Sequence, residues 1–214
     1  MNKLNYLDYM GIQTWTQFSA DSLVEDTDAS IDTLGQLAAK VQACTDCGLS
    51  KTRTNAVFGV GDAHADLMII GEAPGFYEDQ QGEPFVGKAG KLLNAMLQSI
   101  GLSRDKVYIA NILKCRPPNN RDPLPEEIAS CTTHLEEQID LIKPKLLLAL
   151  GRIAGQFLVQ RQSSLAALRG KLQTYAPKQL PLLITYHPAY LLRNPKDKGL
   201  AYKDLLHLQS ILES

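Results

Sequence analysis

The sequence predicts an α/β protein: a three-layer α/β/α sandwich with a central four-stranded parallel sheet. Two observations carry that expectation. Short apolar runs of strand length, at 66–71, 107–113, 145–150 and 182–186, alternate with stretches whose apolar residues recur at helical spacing. Helices between successive strands imply right-handed crossovers, and so a parallel sheet covered on both faces. In such sheets ligands bind beyond the carboxyl ends of the strands. The loops that follow these runs are therefore where chemistry is expected.

The elements follow in order. From Asp32, a candidate N-cap, Leu34, Leu37, Ala38 and Val41 recur at helical spacing and deliver Cys44. Asp66–Gly71 is short, apolar and stopped by glycine, as a buried strand is. Lys88–Ile100 reads as an amphipathic helix closed by Gly101. Val107–Leu113 is the second strand. Pro125–Ile142 opens with Pro and the pair Glu126 and Glu127, a favourable helix start, and contains Cys131. Lys145–Leu150 is the third strand, followed by a helix through about Phe157. Leu182–Tyr186 is the fourth strand, and Gly199–Leu212 the closing helix.

Composition narrows the class. The chain has 214 residues and a net charge of −1, so charge alone does not announce a nucleic-acid binder. The charge is unevenly placed. Residues 1–36 carry one Lys and six acids, which leaves the remainder at +4. No run reaches the ~18 apolar residues of a membrane span, and early acids at Asp8, Asp21, Glu25 and Asp26 do not suit a secretory leader. A cytoplasmic monomer is expected. Residues 1–35 read as an N-terminal extension: an apolar cluster within 3–18 around Trp15, then an acidic linker. That cluster either packs back onto the domain at 36–214 or docks on a protein partner.

Four cysteines are present, Cys44, Cys47, Cys115 and Cys131. In a reducing compartment such a set points to metal or cluster ligation rather than disulfides. The spacing is not that of a zinc ribbon, which has two close pairs, but any four converging thiolates can hold zinc or a 4Fe–4S cluster. Spacing alone leaves zinc and iron open.

Two loops complete the pattern. Gly71-Glu72-Ala73-Pro74-Gly75 follows the first strand, and His187-Pro188-Ala189-Tyr190-Leu191-Leu192-Arg193 follows the fourth. Together with the cysteine set, in this order, they resemble the iron–sulfur uracil-DNA glycosylases known as family 4. The resemblance covers about residues 36–212. It implies a monofunctional enzyme that flips uracil out of DNA and hydrolyses its N-glycosidic bond, leaving free uracil and an abasic site.

That chemistry needs a stacking surface, a polar reader of the base edge, a donor for the departing anion and a carboxylate. Phe85, flanked by Pro84 and Gly87, offers an aromatic face, although a lone Phe is more often core. Asn111, a carboxamide in an apolar strand, must find partners. It either satisfies itself on backbone or reads uracil O4 and N3–H. The resemblance implies the second role, and implies that His187 donates to uracil O2. Where family 1 enzymes carry a water-directing Asp and a bulky Tyr, this chain has Ala73 and Gly75. Gly71, Glu72 and Ala73 are then expected to line the uracil pocket. Glu78 is expected to supply the functional carboxylate, by excluding the thymine methyl or positioning water. Leu191, Leu192 and Arg193 are expected to enter the DNA groove as a wedge; the alternative is that the leucines, or one of them, pack inward onto the final helix. The four cysteines are expected to hold a structural 4Fe–4S cluster.

Two other readings stand beside this one. A binding module for DNA or protein on the same fold would not need Phe85, Asn111 and His187 together. A zinc-stabilised nucleoside hydrolase would leave the Leu191–Leu192 pair without a purpose.

Overall fold

The computed structural model describes residues 27–213, with side chains from residue 33 onward. The expected cluster within 3–18 and most of the acidic linker lie outside the described residues. Within them, the sheet has six strands: β1 (Val60–Gly61), β2 (Leu67–Gly71), β3 (Tyr108–Asn111), β4 (Leu146–Leu150), β5 (Gln173–Tyr175) and β6 (Leu180–Thr185). Their spatial order is β1-β3-β2-β4-β6-β5.

The four central strands are parallel, as the sequence predicts. The two outer ones, β1 and β5, are antiparallel edge strands that the sequence reading missed. Both are too short to show an alternating pattern; β1 is a Val-Gly dipeptide and β5 is Gln-Thr-Tyr.

Each central strand is buried on both faces, which is why it reads as a continuous apolar run. Alternation then sorts the side chains. Met68, Ile70, Ala110, Leu147, Ala149, Leu182 and Ile184 join one core with Leu135, Ile139 and Leu158. Leu67, Ile69, Ile109, Leu146, Leu148 and Leu183 join a second core with Leu93, Leu97, Leu205 and Leu208. The helices behind the first core are α4 (Pro125–Ile142), α5 (Gly151–Val159) and the short α6 (Leu165–Leu168). Behind the second are α3 (Lys88–Gln98), α7 (Pro188–Arg193) and α8 (Lys198–Leu212). Two cores, one on each face of the sheet, make the expected three layers.

Helix α1 spans Thr27–Ala43, so it starts before the expected cap at Asp32 and runs through the expected boundary at 35/36. It packs Leu37 and Val41 against Ala56 and Leu141. An exposed pair, Lys40 Nζ to Glu137 at 2.7 Å, lies alongside. Such a surface pair contributes about 0.2–1 kcal/mol, whereas each buried Leu or Val contributes about 1.5–3 kcal/mol. The apolar face therefore docks this helix. Helix α4 starts where the sequence places it. Glu127 accepts from the Leu124 amide at 2.9 Å and from Arg121 Nη1 at 2.9 Å, closing the helix start.

Register brings the chemistry together. Gly71 pairs with Asn111, and Leu150 with Thr185, so all four central strands end at one edge. No helix among the described residues is long and apolar enough to cross a membrane.

Candidate active site

A cavity of ≈ 450 Å³ opens at that edge, lined by Glu72, Ala73, Glu78, Phe85, Asn111, His187, Tyr190 and Arg193 among others. Its size falls within the range of about 300–1,000 Å³ typical of small-ligand pockets. Gly71, expected to line the cavity, is not among its lining residues but backs the side chains of Asn111 and Phe85. A Cβ there would stand 2.3 Å from Asn111 Oδ1 and 2.8 Å from Phe85 Cζ. Only glycine leaves room for both side chains to point where they do.

Asn111 is 2 % exposed, and its Oδ1 has no hydrogen-bond partner. A buried, unpaired carbonyl oxygen costs about 1–3 kcal/mol. The alternative that Asn111 satisfies this atom on backbone is therefore not what the fold does. The acceptor is left open at the pocket.

His187 ends the fourth central strand's run and caps α7. Its Nδ1 accepts from the Ala189 amide at 3.1 Å. An accepting Nδ1 places the neutral ring's proton on Nε2. Burial, with Arg193's charge in the same direction and Glu78's against it, pushes His187 down to about 4. The imidazole is thus neutral near pH 7 and holds one N–H donor. Its ring lies 5.7 Å from that of Phe85, tilted by 32°.

Phe85 is held in a left-handed backbone conformation, φ +55°. A bulky residue at positive φ is strained. Three contacts hold it. Glu78 Oε1 accepts from the Val86 and Gly87 amides, each at 3.0 Å. Arg104 Nη2 donates to the Pro84 carbonyl. Helix α3 approaches so closely that a Cβ on Gly90 would stand 1.7 Å from the Phe85 oxygen. Glu78 comes from α2 (Phe76–Gln81), and its Oε2 lies 2.7 Å from where a Cβ on Gly75 would be. It fills the space that a bulky residue at position 75 would take.

Glu72 lines the cavity with a carboxyl raised to about 7, chiefly by burial and then by Asp122, with Arg152 opposing. Its carbonyl accepts from the Leu113 amide at 3.1 Å, which binds the Glu72 segment to the end of β3. Asp79, the third acid of this loop, is structural: it is buried and accepts from the Thr54 amide at 2.8 Å.

The expected wedge divides. Leu191 is 0 % exposed and belongs to the second core, so it does not reach DNA. The segment is helix α7 rather than an open loop, and it packs against α3. Leu192 is 45 % exposed, and Arg193 sits at the cavity rim.

The four cysteines, all free, line one second cavity together with Arg53, Lys114 and His134. Arg53 Nη1 donates to Cys115 Sγ at 3.0 Å and the Lys114 amide to Cys131 Sγ at 3.3 Å. His134 Nε2 lies 3.5 Å from Cys44 Sγ. Burial pushes Cys131 up to about 11 against the pull of the Lys114 amide, and raises Cys44 and Cys115. Four thiols around one cavity, two of them buried (Cys115 and Cys131) and receiving N–H donors at sulfur, are the surroundings of a thiolate-bound metal group. Ligand atoms of Cys44, Asp46 and His134 also lie within 4.8 Å of one another, so a metal ion fits this corner.

Two residues support these sites in ways the sequence does not suggest: Arg104, and Lys114, which reads in sequence as a solvated or phosphate-facing cation near a loop but is buried. Arg104 clamps the Phe85 loop. Lys114, 1 % exposed, donates from Nζ to the Asn111 carbonyl at 2.8 Å and to Gln138 Oε1. A lysine next to Leu113 in an apolar run was the available signal.

With this geometry in place, the sequence comparisons are specific. The profile of the Uracil DNA glycosylase superfamily matches residues 58–207, and the chain belongs to that superfamily. Among its relatives is a Type-4 uracil-DNA glycosylase of Archaeoglobus fulgidus, 44% identical over 172 residues, covering 78% of this chain and 86% of the relative. The Type-4 uracil-DNA glycosylase of Sulfurisphaera tokodaii is 43% identical over 188 residues, covering 85% and 86%. That of Thermotoga maritima is 44% identical over 161 residues, covering 74% and 82%.

Proposed function

We propose that this protein is a uracil-DNA glycosylase of the Type-4 kind, which binds uracil flipped from DNA and hydrolyses its bond to deoxyribose. The carrying observation is that the open acceptor of Asn111, a neutral His187 and the Phe85 ring line one cavity. Uracil N3–H donates to Asn111 Oδ1, and Asn111 Nδ2 donates to O4. Cytosine presents the reverse polarity and is refused. Phe85 stacks on the base. As the N1–C1′ bond breaks, its electron pair passes to uracil, and His187 Nε2–H donates to O2 where negative charge develops. Water adds at C1′, and the proton it releases passes through solvent to the departing uracil anion, so that neutral uracil and the abasic sugar are the products. Glu78 holds the Phe85 loop, blocks the space a thymine methyl needs beside Gly75, and sets a negative charge near the cationic sugar. Leu192 and Arg193 face the DNA.

The second site fits a 4Fe–4S cluster held by Cys44, Cys47, Cys115 and Cys131, which would supply structure rather than a reaction step. The same reading makes the protein a cytoplasmic monomer, with the segment before helix α1 as an extension outside the catalytic unit.

The test is a single-turnover assay on an oligonucleotide with one uracil, read by alkaline cleavage at the abasic site, beside an absorption spectrum. Uracil is removed, cytosine and thymine are not, and anaerobically purified protein absorbs broadly near ~400 nm. Protein that leaves uracil in place is not this enzyme. Stoichiometric zinc without iron overturns the cluster assignment.

A further inference from the structure

Helix α2 carries two exposed aromatic residues in succession. Phe76 is 49 % exposed and Tyr77 60 % exposed, and their rings meet edge to face at 5.5 Å and 81°. Monomer surfaces rarely spend two adjacent large aromatics without a use. These stand between Gly75 and Glu78, both of which line the active-site cavity. Tyr77 Cδ2 lies 3.5 Å from where a Cβ on Gly87 would be, so its ring runs along the loop that carries Phe85. On the other side, the Arg116 guanidinium lies 5.0 Å over the Phe76 ring. Arg116 is held there by Nε donating to Asn120 Oδ1 at 2.7 Å.

We propose that Phe76 and Tyr77 form a stacking platform for a nucleobase that flanks the flipped uracil, with Arg116 meeting the neighbouring phosphate. The proposal rests on the glycosylase reading and deepens it by naming where the rest of the strand lies. Three observations favour a nucleic-acid strand over a protein as the occupant. The platform is continuous with the cavity rim, so a strand whose uracil enters the pocket must pass over or beside it. The cations there are available: among the described residues neither Arg116 nor Arg193 is ion-paired to a carboxylate, whereas Arg121 is committed to Glu127. Finally, the exposed Tyr77 ring and the uncapped side of Phe76, next to the guanidinium that covers the other side of Phe76, match the alternation of base and phosphate along a single strand. A neighbouring base in single-stranded DNA is free to leave its own stack, while in a duplex it is held by pairing. The platform therefore favours single-stranded uracil-containing DNA over duplex.

Two exposed side chains can be removed without opening the core, so the double variant F76A/Y77A is a usable probe. Single-turnover excision is measured against enzyme concentration on single-stranded and duplex oligonucleotides. The half-saturating concentration for the single strand is expected to rise about ten-fold, as loss of one base–aromatic stack implies. The duplex value should rise less, and the loss should fall on binding rather than on the rate at saturation. A second arm places 2-aminopurine beside the uracil. Wild-type protein and Phe76→Trp should quench its fluorescence on binding, and F76A/Y77A should not. Unchanged half-saturation together with unchanged quenching overturns the platform. Wild-type protein that fails to excise uracil overturns the activity reading instead. The fluorescence arm still decides the platform in that case, because it requires binding alone.

Discussion

The two ends of one short segment, Asn111 and Cys115, lead into sites of opposite character. At Asn111 the fold leaves a buried oxygen without a partner and holds Phe85 at positive φ. At Cys115 and Cys131 it aims N–H donors at sulfur and closes the surroundings. An unpaired polar atom and a strained backbone cost stability, and a fold retains them where a ligand comes and goes. Donors converging on buried thiols suit an occupant that stays and forms part of the folded state. Lys114 joins the two, with its amide on Cys131 and its ammonium on the Asn111 carbonyl.

The contrast predicts that the cysteine region governs folding and the pocket governs rate. Cys115→Ser or Cys131→Ser should cost the most, because metal-coupled folding energy on the order of 10 kcal/mol is at stake. Loss of visible absorbance with a collapse of the thermal transition is the expected outcome. A colourless variant that melts like the wild type would remove the structural role.

Lys114→Met tests the link. It leaves the Asn111 carbonyl and Gln138 Oε1 without a donor, at about 1–3 kcal/mol of stability by denaturant titration. It should also lower discrimination between uracil and cytosine, since the strand end carrying Asn111 loses its anchor. A variant that is less stable but equally selective would confine Lys114 to packing.

Glu72 gives a smaller effect with a pH signature. Its folded-state value, about 7, lies above the ordinary 4.5. The folded form therefore holds a proton that the unfolded chain releases, and stability falls as pH rises from the unfolded value through about 7. Glu72→Gln should be more stable than wild type by about 1–2 kcal/mol at alkaline pH, after solvent screening, and similar below the unfolded value. A stability difference that does not change with pH would contradict the burial argument. The smallest effect belongs to residues 1–26. Every proposed site residue lies beyond them, so protein beginning at Thr27 should excise uracil at the full-length rate. A folded, cluster-loaded but inactive truncation would show that the extension helps build the site.

Much of this was legible in the sequence because burial on both faces leaves an unmistakable apolar run. β2, β3, β4 and β6, and helix α4 to the residue, follow from that pattern. The edge strands β1 and β5 did not, since two or three residues paired on one side carry no periodicity. The pocket residues were found through loop position and family resemblance. What they touch was not. Glu78 was expected chiefly to exclude a methyl or position water, yet its clearest contacts are two backbone amides of the Phe85 loop. Leu191 and Leu192 are equivalent in sequence, but a helical turn sends one to the core and the other outward. Arg104 acts on the Pro84 carbonyl and Lys114 on Gln138 Oε1, partners 20 and 24 residues away that no local pattern reveals.

The most direct test of the pocket is the single-turnover rate of uracil excision by Asn111→Ala and His187→Ala, each checked for intact visible absorbance. The account predicts that each loses about 2–4 kcal/mol of transition-state stabilisation, or roughly 30- to 1,000-fold in rate, with the spectrum and melting temperature largely retained. Wild-type rates in both variants would contradict it, because the open acceptor and the neutral donor would then have no part in the reaction.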